Sequence, residues 1–137
     1  MKSVNVSASA EDYLLALFLL KKKGSPVKVV DIGRMLNISG PSTTEALGKL
    51  SVVGLVKHQK YGDVELTLKG DVVAQDIHLR YETLRRFLFQ IAEVPLEVAE
   101  RDALGMKHAL STTSREKIAG LMESISEYRL IKETSVK

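Results

Sequence analysis

The chain has 137 residues, of which 45% are hydrophobic and 27% charged, proportions that are ordinary for a folded globular protein. It contains no cysteine, which excludes disulfides, thiolate metal sites and cysteine nucleophiles. Residues 1–72 hold ten Lys or Arg against seven Asp or Glu, and residues 73–137 hold ten of each, so the net charge of +3 belongs to the first half. This distribution favours a phosphate-binding module beside a dimerisation module. A net charge of +3 is also within the ordinary scatter of folded proteins.

The first predicted helix covers about residues 10–22. Ser9 offers a hydroxyl N-cap, and Glu11 and Asp12 place acids in the first turn. The apolar run at 13–20 is eight residues long, too short to span a bilayer, and three lysines follow it instead of a small-residue cleavage site. We therefore expect a deeply buried helix in a cytoplasmic protein that does not insert into a membrane.

A helix-turn-helix pattern comes next. A short helix is predicted over 29–36, a tight turn over 37–40, and a third helix over 41–52 that begins with Pro41, where proline is best tolerated. In the short helix we expect Val30, Ile32 (or Ile38 just after it) and Leu36 to face inward. In the third helix the apolar stripe is Ala46, Leu47 and Leu50, which leaves four polar side chains for solvent or a partner: Ser42, Thr43, Glu45 and Lys49.

Two strands are predicted after Gly54, at 55–59 and 64–68. In the second strand apolar and polar residues alternate, as in a half-buried strand, and residues 61–63 supply the turn. The first strand and the tip of this hairpin carry basic groups at Lys57, His58 and Lys60.

Helical patterns return from about residue 71. We expect one long helix over 71–91, a second over 95–110, and a third that begins with a capping box of Thr113 and Glu116 and ends near residue 130. The predicted fold is therefore mainly α: a winged helix-turn-helix over residues 1–72, followed by a helical dimerisation domain over residues 73–137.

This order of elements predicts a protein that binds double-stranded DNA. The third helix has the length and polarity to enter a major groove, where Ser42 and Thr43 would present hydroxyls to base edges and Lys49 would meet phosphates. The hairpin would lie along the flanking backbone with Lys57, Lys60 and Tyr61. An alternative for the same fold is a module that binds protein instead.

Seven short segments carry a resemblance to a known family: Glu11-Asp12-Tyr13-Leu14, Val30-Asp31-Ile32, Ser39-Gly40-Pro41-Ser42, Gly54-Leu55-Val56, Leu66-Thr67-Leu68-Lys69-Gly70, Arg85-Arg86-Phe87-Leu88 and Lys107-His108-Ala109-Leu110-Ser111. Over about residues 8–126 they resemble the diphtheria-toxin-repressor family of metal-dependent transcription regulators, and the length is similar to its short, manganese-sensing branch. The resemblance implies a repressor that binds a palindromic operator as a homodimer, with DNA contacts at Ser39, Pro41, Ser42 and Glu45.

The resemblance also marks where this chain departs from the family's metal sites. The positions of the main site are here Asp12, Leu15, Tyr81, Leu104, Lys107 and His108. Only Asp12 and His108 are ordinary ligands, too few for a tight Mn, Fe or Zn site, and a lysine ammonium repels a cation. At a second, ancillary site Arg85 and Glu100 replace a carboxylate and a histidine. The cofactor therefore stays open: none, or a divalent Mn, Fe or Zn ion at Asp12 and His108.

These substitutions suggest that Lys107 supplies the missing positive charge. In this hypothesis its ammonium pairs with Asp12, and Tyr81 and His108 complete a hydrogen-bonded cluster that replaces the metal. The alternative is a Lys107 that points to solvent. A metal could instead be held elsewhere, by His78 and Glu82 one helical turn apart with further carboxylates: Glu93, Glu97, Glu100 and Asp102.

Other classes of function have less support in the sequence. An enzyme is not expected, because no phosphate-binding glycine loop and no recognisable nucleophile, base and acid are present. Glu45 supports the protein-interaction module, since the family commonly has a neutral amide there, although a glutamate can accept a hydrogen bond from cytosine N4. A third alternative is a winged-helix repressor that senses a small organic ligand in an apolar cavity between the two halves.

Overall fold

The computed structural model describes residues 6–24, 26–58 and 62–135, with side chains as far as residue 127. Its elements in chain order are α1 Ala8–Lys21, β1 Val27–Lys28, α2 Val29–Leu36, α3 Gly40–Val52, β2 Val56–His58, β3 Asp63–Leu66, α4 Leu68–Arg86, a π-helical segment Phe87–Ile91, α5 Leu96–Ala109 and α6 Thr112–Ser135. The chain divides into two compact units, Met1–His78 and Leu79–Lys137. The mainly helical fold with a winged helix-turn-helix is confirmed, whereas the predicted domain boundary at residue 72 stays a prediction.

Helix α1 forms the centre of the first unit. Its residues 13–17 are all buried, as the all-round apolar sequence predicts. The helix begins two residues earlier than expected, because the Ser7 hydroxyl, and not that of Ser9, accepts the capping hydrogen bond from the Ala10 amide (3.1 Å). At its other end the Phe18 ring lies 5.0 Å from the His78 ring on α4.

Helices α2 and α3 are joined by a tight turn that brings their backbones close together. Asn37 adopts the left-handed conformation (φ 56°), and the Ile38 amide donates to the Gly33 carbonyl (2.8 Å). A Cβ on Gly33 would lie 2.9 Å from the Ile38 oxygen and 3.1 Å from Thr43 Oγ1, so only glycine fits there. Ile32 is buried as predicted, but Val30 is 55% exposed, and its predicted inward orientation is wrong.

The wing is a three-stranded antiparallel sheet of order β1-β3-β2. The predicted hairpin is confirmed, with Val56 opposite Leu66 and His58 opposite Val64. The third strand, β1, was not predicted; it has two residues, too few to show an alternating pattern, and pairs Val27 with Val64. Strand β3 ends at Leu66, and the predicted last strand residue, Leu68, instead begins α4.

Thr67 and Gly70 join the wing to α4. The Thr67 hydroxyl donates to the Gly54 carbonyl (2.6 Å) and accepts from the Gly70 amide (2.9 Å), which caps the helix. The Thr67 amide donates to the Leu55 carbonyl (3.1 Å). A Cβ built on Gly70 would lie 1.8 Å from that same Leu55 oxygen, so the helix reaches the wing only because this residue has no side chain.

In the second unit, the end of α4 continues into the π-helical segment, where a longer α-helix was predicted. Helix α5 buries Ala99, Ala103 and Lys107 along one stripe. Helix α6 is capped by Ser111, whose hydroxyl accepts from the Ser114 amide (3.1 Å), so the predicted capping box of Thr113 and Glu116 is wrong. No helix among the described residues is long and apolar enough to cross a membrane.

Candidate nucleic-acid interface

The outer face of α3 carries a polar stripe of Ser42, Glu45 and Lys49, spaced three and four residues apart. All three residues are exposed, whereas Leu47 and Leu50 on the opposite face are buried. The Lys49 ammonium lies 3.6 Å from Glu45 Oε1, and the two side chains are 78% and 72% exposed. The stripe is therefore available to a partner, with an acceptor and a cation side by side.

The first turn of α3 is held by Ser39. Its hydroxyl accepts from the Ser42 amide (3.3 Å) and donates to the Ser42 hydroxyl (3.0 Å). Because the Ser42 oxygen receives that bond, its own proton can be donated outward. Pro41, also exposed, occupies the helical start, where a missing N–H costs nothing.

Thr43 lies on the inner face of α3 and not on its polar stripe. Its side chain is fully buried, and its hydroxyl donates to the Ser39 carbonyl (2.8 Å) on the inner face of the turn. The prediction that Thr43 is left for solvent or a partner is wrong, because the residue faces Gly33 of α2 at the crossing of the two helices. We accordingly remove Thr43 from the candidate DNA contacts.

On the wing, the Lys57 side chain is exposed and lies opposite Glu65 in the β2–β3 ladder. His58 is half-buried. The two other basic or aromatic residues predicted to contact DNA, Lys60 and Tyr61, lie outside the described residues.

The polar stripe of α3 is not packed against the rest of its unit. A cavity of about 560 Å³ separates it from the start of α1, with Ser7, Ser9 and Tyr13 on one side and Ser42, Glu45 and Lys49 on the other. Burial raises the pKa of the Tyr13 phenol, and the nearby Asp12 carboxylate adds to the rise, so this phenol stays neutral at physiological pH. The polar stripe of α3 therefore borders a cavity and not the packed interior of its unit.

In the second unit, Lys107 is buried. Only 2% of its surface is exposed, and its ammonium lies 2.7 Å from Nε2 of the exposed His108. The alternative that Lys107 points to solvent is therefore wrong. A buried lysine nitrogen is costly without compensating contacts, and His108 provides one of them.

Tyr81 and its neighbours form a second polar group in this unit. Tyr81 is 5% exposed, and its pKa is raised by burial and then by the Glu100 carboxylate, while Arg85 opposes the rise. Arg85 donates two hydrogen bonds to Glu82, and these bonds raise the pKa of its guanidinium. Sequence analysis missed this ion pair, although an acid and an arginine three residues apart on a helix indicate one.

The donor set does not fit a divalent metal. Among the described residues no group of three or more His, Asp or Glu comes together as a metal site. Of the positions that the family resemblance singles out, Leu15 is buried among apolar residues and Lys107 carries an ammonium. Glu82, a member of the alternative site with His78, is engaged by Arg85. We therefore derive no step through a bound metal.

Comparisons with known proteins agree with this architecture. Residues 5–64 match the family described as iron dependent repressor, N-terminal DNA binding domain, and residues 67–128 match iron dependent repressor, metal binding and dimerisation domain.

Curated relatives resemble most of the chain. An uncharacterised HTH-type transcriptional regulator of Methanocaldococcus jannaschii is 30% identical over 123 residues, covering 89% of this chain and 98% of the relative. The HTH-type transcriptional regulator MntR of Lysinibacillus sphaericus is 32% identical over 119 residues, covering 87% and 85%.

Solved structures share the fold. A manganese-dependent transcriptional repressor in complex with manganese superposes with a TM-score of 0.75 at 24% identity, over 83% of this chain and 52% of that one. IdeR of T. acidophilum superposes with a TM-score of 0.72 at 23% identity, over 90% and 56%. The chain thus spans about half the length of these structures.

Proposed function

Because the chain belongs to the iron-dependent repressor family and is a DNA-binding transcription regulator, we propose that it binds a palindromic operator as a homodimer and represses transcription there. Residues 1–72 would read the DNA, with α3 in the major groove and the wing along the backbone, and residues 73–137 would form the dimer. The observation that carries this proposal is the exposed polar stripe of α3, opposite a face that is fully packed.

The DNA contacts that we propose are those left after Thr43 is removed. Ser42 and Glu45 would face base edges, and Ser39 and Pro41 would lie at the helical start where the backbone approaches the duplex. Phosphates would be met by the basic and phenolic side chains of α3 and the wing: Lys49, Lys57, Lys60 and Tyr61.

We further propose that this regulator binds its operator without a metal. In the second unit Lys107 supports the proposal, since a buried ammonium beside His108 occupies a position where the family resemblance places a metal ligand. The cluster that we propose in place of the metal consists of Asp12, Tyr81, Lys107 and His108, and the pairing of Asp12 with Lys107 stays a prediction. The competing proposal is a Mn, Fe or Zn ion held by Asp12 and His108.

One binding experiment tests both proposals. The protein is incubated with a random duplex library, once with EDTA and once with added Mn²⁺, Fe²⁺ or Zn²⁺, and the bound duplexes are sequenced. We expect an inverted repeat to be enriched in both conditions, and the affinity to fall with salt by a log–log slope of about −0.9 for each phosphate contacted. Enrichment only with metal would contradict metal independence, and no salt-dependent binding at all would favour the protein-interaction module.

A substitution tests the role of Lys107. Lys107→Met keeps the stem and removes the ammonium, and we expect operator affinity to fall by about tenfold or more, because removing one partner of a buried polar cluster costs several kcal/mol. Lys117→Met, an exposed lysine on α6, is the matched control for loss of charge. If Lys107→Met binds the operator as tightly as the wild type, with the same melting temperature, Lys107 does not replace the metal.

Members of this family are transcription regulators, and we infer that this chain has no enzymatic activity of its own. We also infer that it acts in the cytoplasm, where it would meet its DNA. A fluorescent fusion that concentrates at the cell envelope instead of the nucleoid would contradict this location.

A further inference from the structure

Glu45 is the sole acidic residue of α3, a helix whose residues are all described. Its carboxylate lies in the middle of the polar stripe, with Ser42 one turn before it and Lys49 one turn after it. Its side chain is 72% exposed, and its carboxylate forms an ion pair with Lys49 of the same helix. It is the longest acceptor-bearing side chain on the face that we assign to the major groove.

The polar side chains at the start of α3 differ in whether they can accept a hydrogen bond from the amino group of a base. The Ser39 hydroxyl is engaged with Ser42, and the Thr43 hydroxyl is turned inward to the Ser39 carbonyl. Ser42 has a proton to donate, and Lys49 is a donor only. Among the exposed side chains of this helix, the Glu45 carboxylate is therefore the strongest acceptor that can meet a donor on a base.

The major groove offers few donors to a carboxylate. Guanine presents two acceptors, N7 and O6, and thymine presents O4 and a methyl group, so both repel or fail to bind a carboxylate. Adenine N6 is a donor, but the adjacent N7 acceptor faces the second carboxylate oxygen. Cytosine N4 is a donor with no acceptor on the same base edge, and it is the known partner of glutamate and aspartate.

From this chemistry we propose that Glu45 is a specificity-determining residue that accepts a hydrogen bond from cytosine N4, so that each half-site requires a C·G pair at one position. The inference rests on the proposed binding of DNA by α3 and adds the base that is read. Lys49 makes the contact compatible with DNA, because its ammonium 3.6 Å away offsets the repulsion between the Glu45 carboxylate and the phosphates.

The test compares Glu45→Gln with the wild type in a selection from a random duplex library. A glutamine amide pairs in bidentate fashion with adenine N6 and N7, so the favoured base should change from cytosine to adenine at one position of each half-site. We expect roughly a tenfold change in relative affinity for the two bases. Glu45→Ala should show no preference there. Because the site is exposed, these variants should fold, which a melting curve checks.

Two controls separate base reading from charge. Glu123→Gln, on the exposed surface of α6, removes the same charge and should leave the selected sequence unchanged. Lys49→Gln should weaken binding to every sequence and keep the preference for cytosine, because a phosphate contact carries no sequence information.

The outcomes are distinct for the inference and for the proposed function. If the wild type binds DNA but Glu45→Gln selects the same base, or if the wild type shows no C·G requirement, the inference is wrong and the DNA-binding function stands. If neither protein shows salt-dependent binding to duplex DNA, the proposed function fails and the inference fails with it.

Discussion

Ser42 and Thr43 are neighbours with opposite roles. Ser42 is exposed beside Glu45, whereas Thr43 is buried and its hydroxyl donates to the Ser39 carbonyl (2.8 Å). That carbonyl also accepts from the Thr43 amide (3.0 Å), so it keeps a partner if the hydroxyl is removed. Thr43 therefore contributes to the stability of the helix-turn-helix and not to contact with DNA.

We predict that Thr43→Val lowers the free energy of unfolding by roughly 1 kcal/mol, the usual net contribution of one hydrogen bond. At a temperature where the variant is fully folded, its operator affinity should equal that of the wild type. Ser42→Ala, the matched change on the outer face, should do the reverse, weakening operator binding with little effect on stability. Denaturant unfolding measures the stability of the two variants, and anisotropy titrations measure their affinity for the operator. A loss of DNA affinity in fully folded Thr43→Val would show that Thr43 belongs to the DNA interface.

Tyr81 gives the second unit a pH dependence. Its pKa in the folded chain is raised above 10.0, by burial first and by Glu100 next. The phenol holds its proton more tightly when folded, so this stability is fully present below pH 10 and is lost as the pH rises through the folded pKa.

We therefore predict that the wild type loses stability above about pH 10 more steeply than Tyr81→Phe, which has no proton to lose. Chemical unfolding at pH 8, 10 and 11 gives the free energy of unfolding of both proteins. The value of each protein at pH 8 is the reference for its own loss of stability at higher pH. Equal slopes for the two proteins would show that Tyr81 ionises in the same way in the folded and unfolded chains.

Among the elements, the junction between the wing and α4 depends on one missing side chain. A methyl group on Gly70 would be placed 1.8 Å from the Leu55 carbonyl oxygen, which is backbone and cannot rotate away. The Leu55 carbonyl also accepts a hydrogen bond from the amide of Thr67, the residue just before α4. This hydrogen bond holds the start of the helix close to the wing.

We predict that Gly70→Ala lowers the free energy of unfolding by roughly 3 kcal/mol, since the wing or α4 must shift to make room. The matched control is Gly120→Ala on α6, where a Cβ meets nothing within 4 Å; there the higher helix propensity of alanine should stabilise the chain by up to about 1 kcal/mol. Thermal or urea unfolding compares them. Equal stability of Gly70→Ala and the wild type would mean that the close approach is absent in solution.

Elements with a strong period were predictable, and those set by single contacts were not. The bounds of α2 and the inner residues Leu47 and Leu50 of α3 followed from spacing and turn chemistry. Strand β1 was missed because its two residues acquire an extended conformation only by pairing with β3. The start of α1 was misplaced, since two serines two residues apart are equivalent as caps until the structure selects Ser7.

The candidate site shows the same limit. The exposure of Glu45 and Lys49 follows from their helical positions opposite Leu47, and the structure agrees. The burial of Lys107 was also readable, because Ala99, Ala103 and Lys107 repeat every four residues along α5 and so share a face. The burial of Thr43 was not, since it depends on how closely Gly33 lets α2 approach α3.

At the scale of the whole molecule, most of the net positive charge lies in the unit that carries the exposed stripe of α3. Residues 1–78 hold ten Lys or Arg against eight Asp or Glu, and residues 79–137 hold ten against nine. In the proposed function one copy would present a single α3 to the duplex, and one helix contacts only a few base pairs. A second copy doubles the number of base pairs contacted and uses the same helix to do so. The dimerisation domain of this family therefore matters for specificity.

The dimer makes a geometric prediction about the operator. Two copies of α3 on one face of a duplex require half-sites separated by a whole number of helical turns, about 10–10.5 base pairs each. Inserting five base pairs between the half-sites turns the second one to the opposite face of the duplex, so we expect affinity to fall to that of an isolated half-site. A duplex lengthened by five base pairs outside the repeat is the control. Light scattering at the same concentrations should report twice the 15.1 kDa of one chain. The mass of a single chain, or an affinity that the insertion does not change, would contradict this prediction. Each copy would then bind DNA alone, and the second unit would serve another purpose.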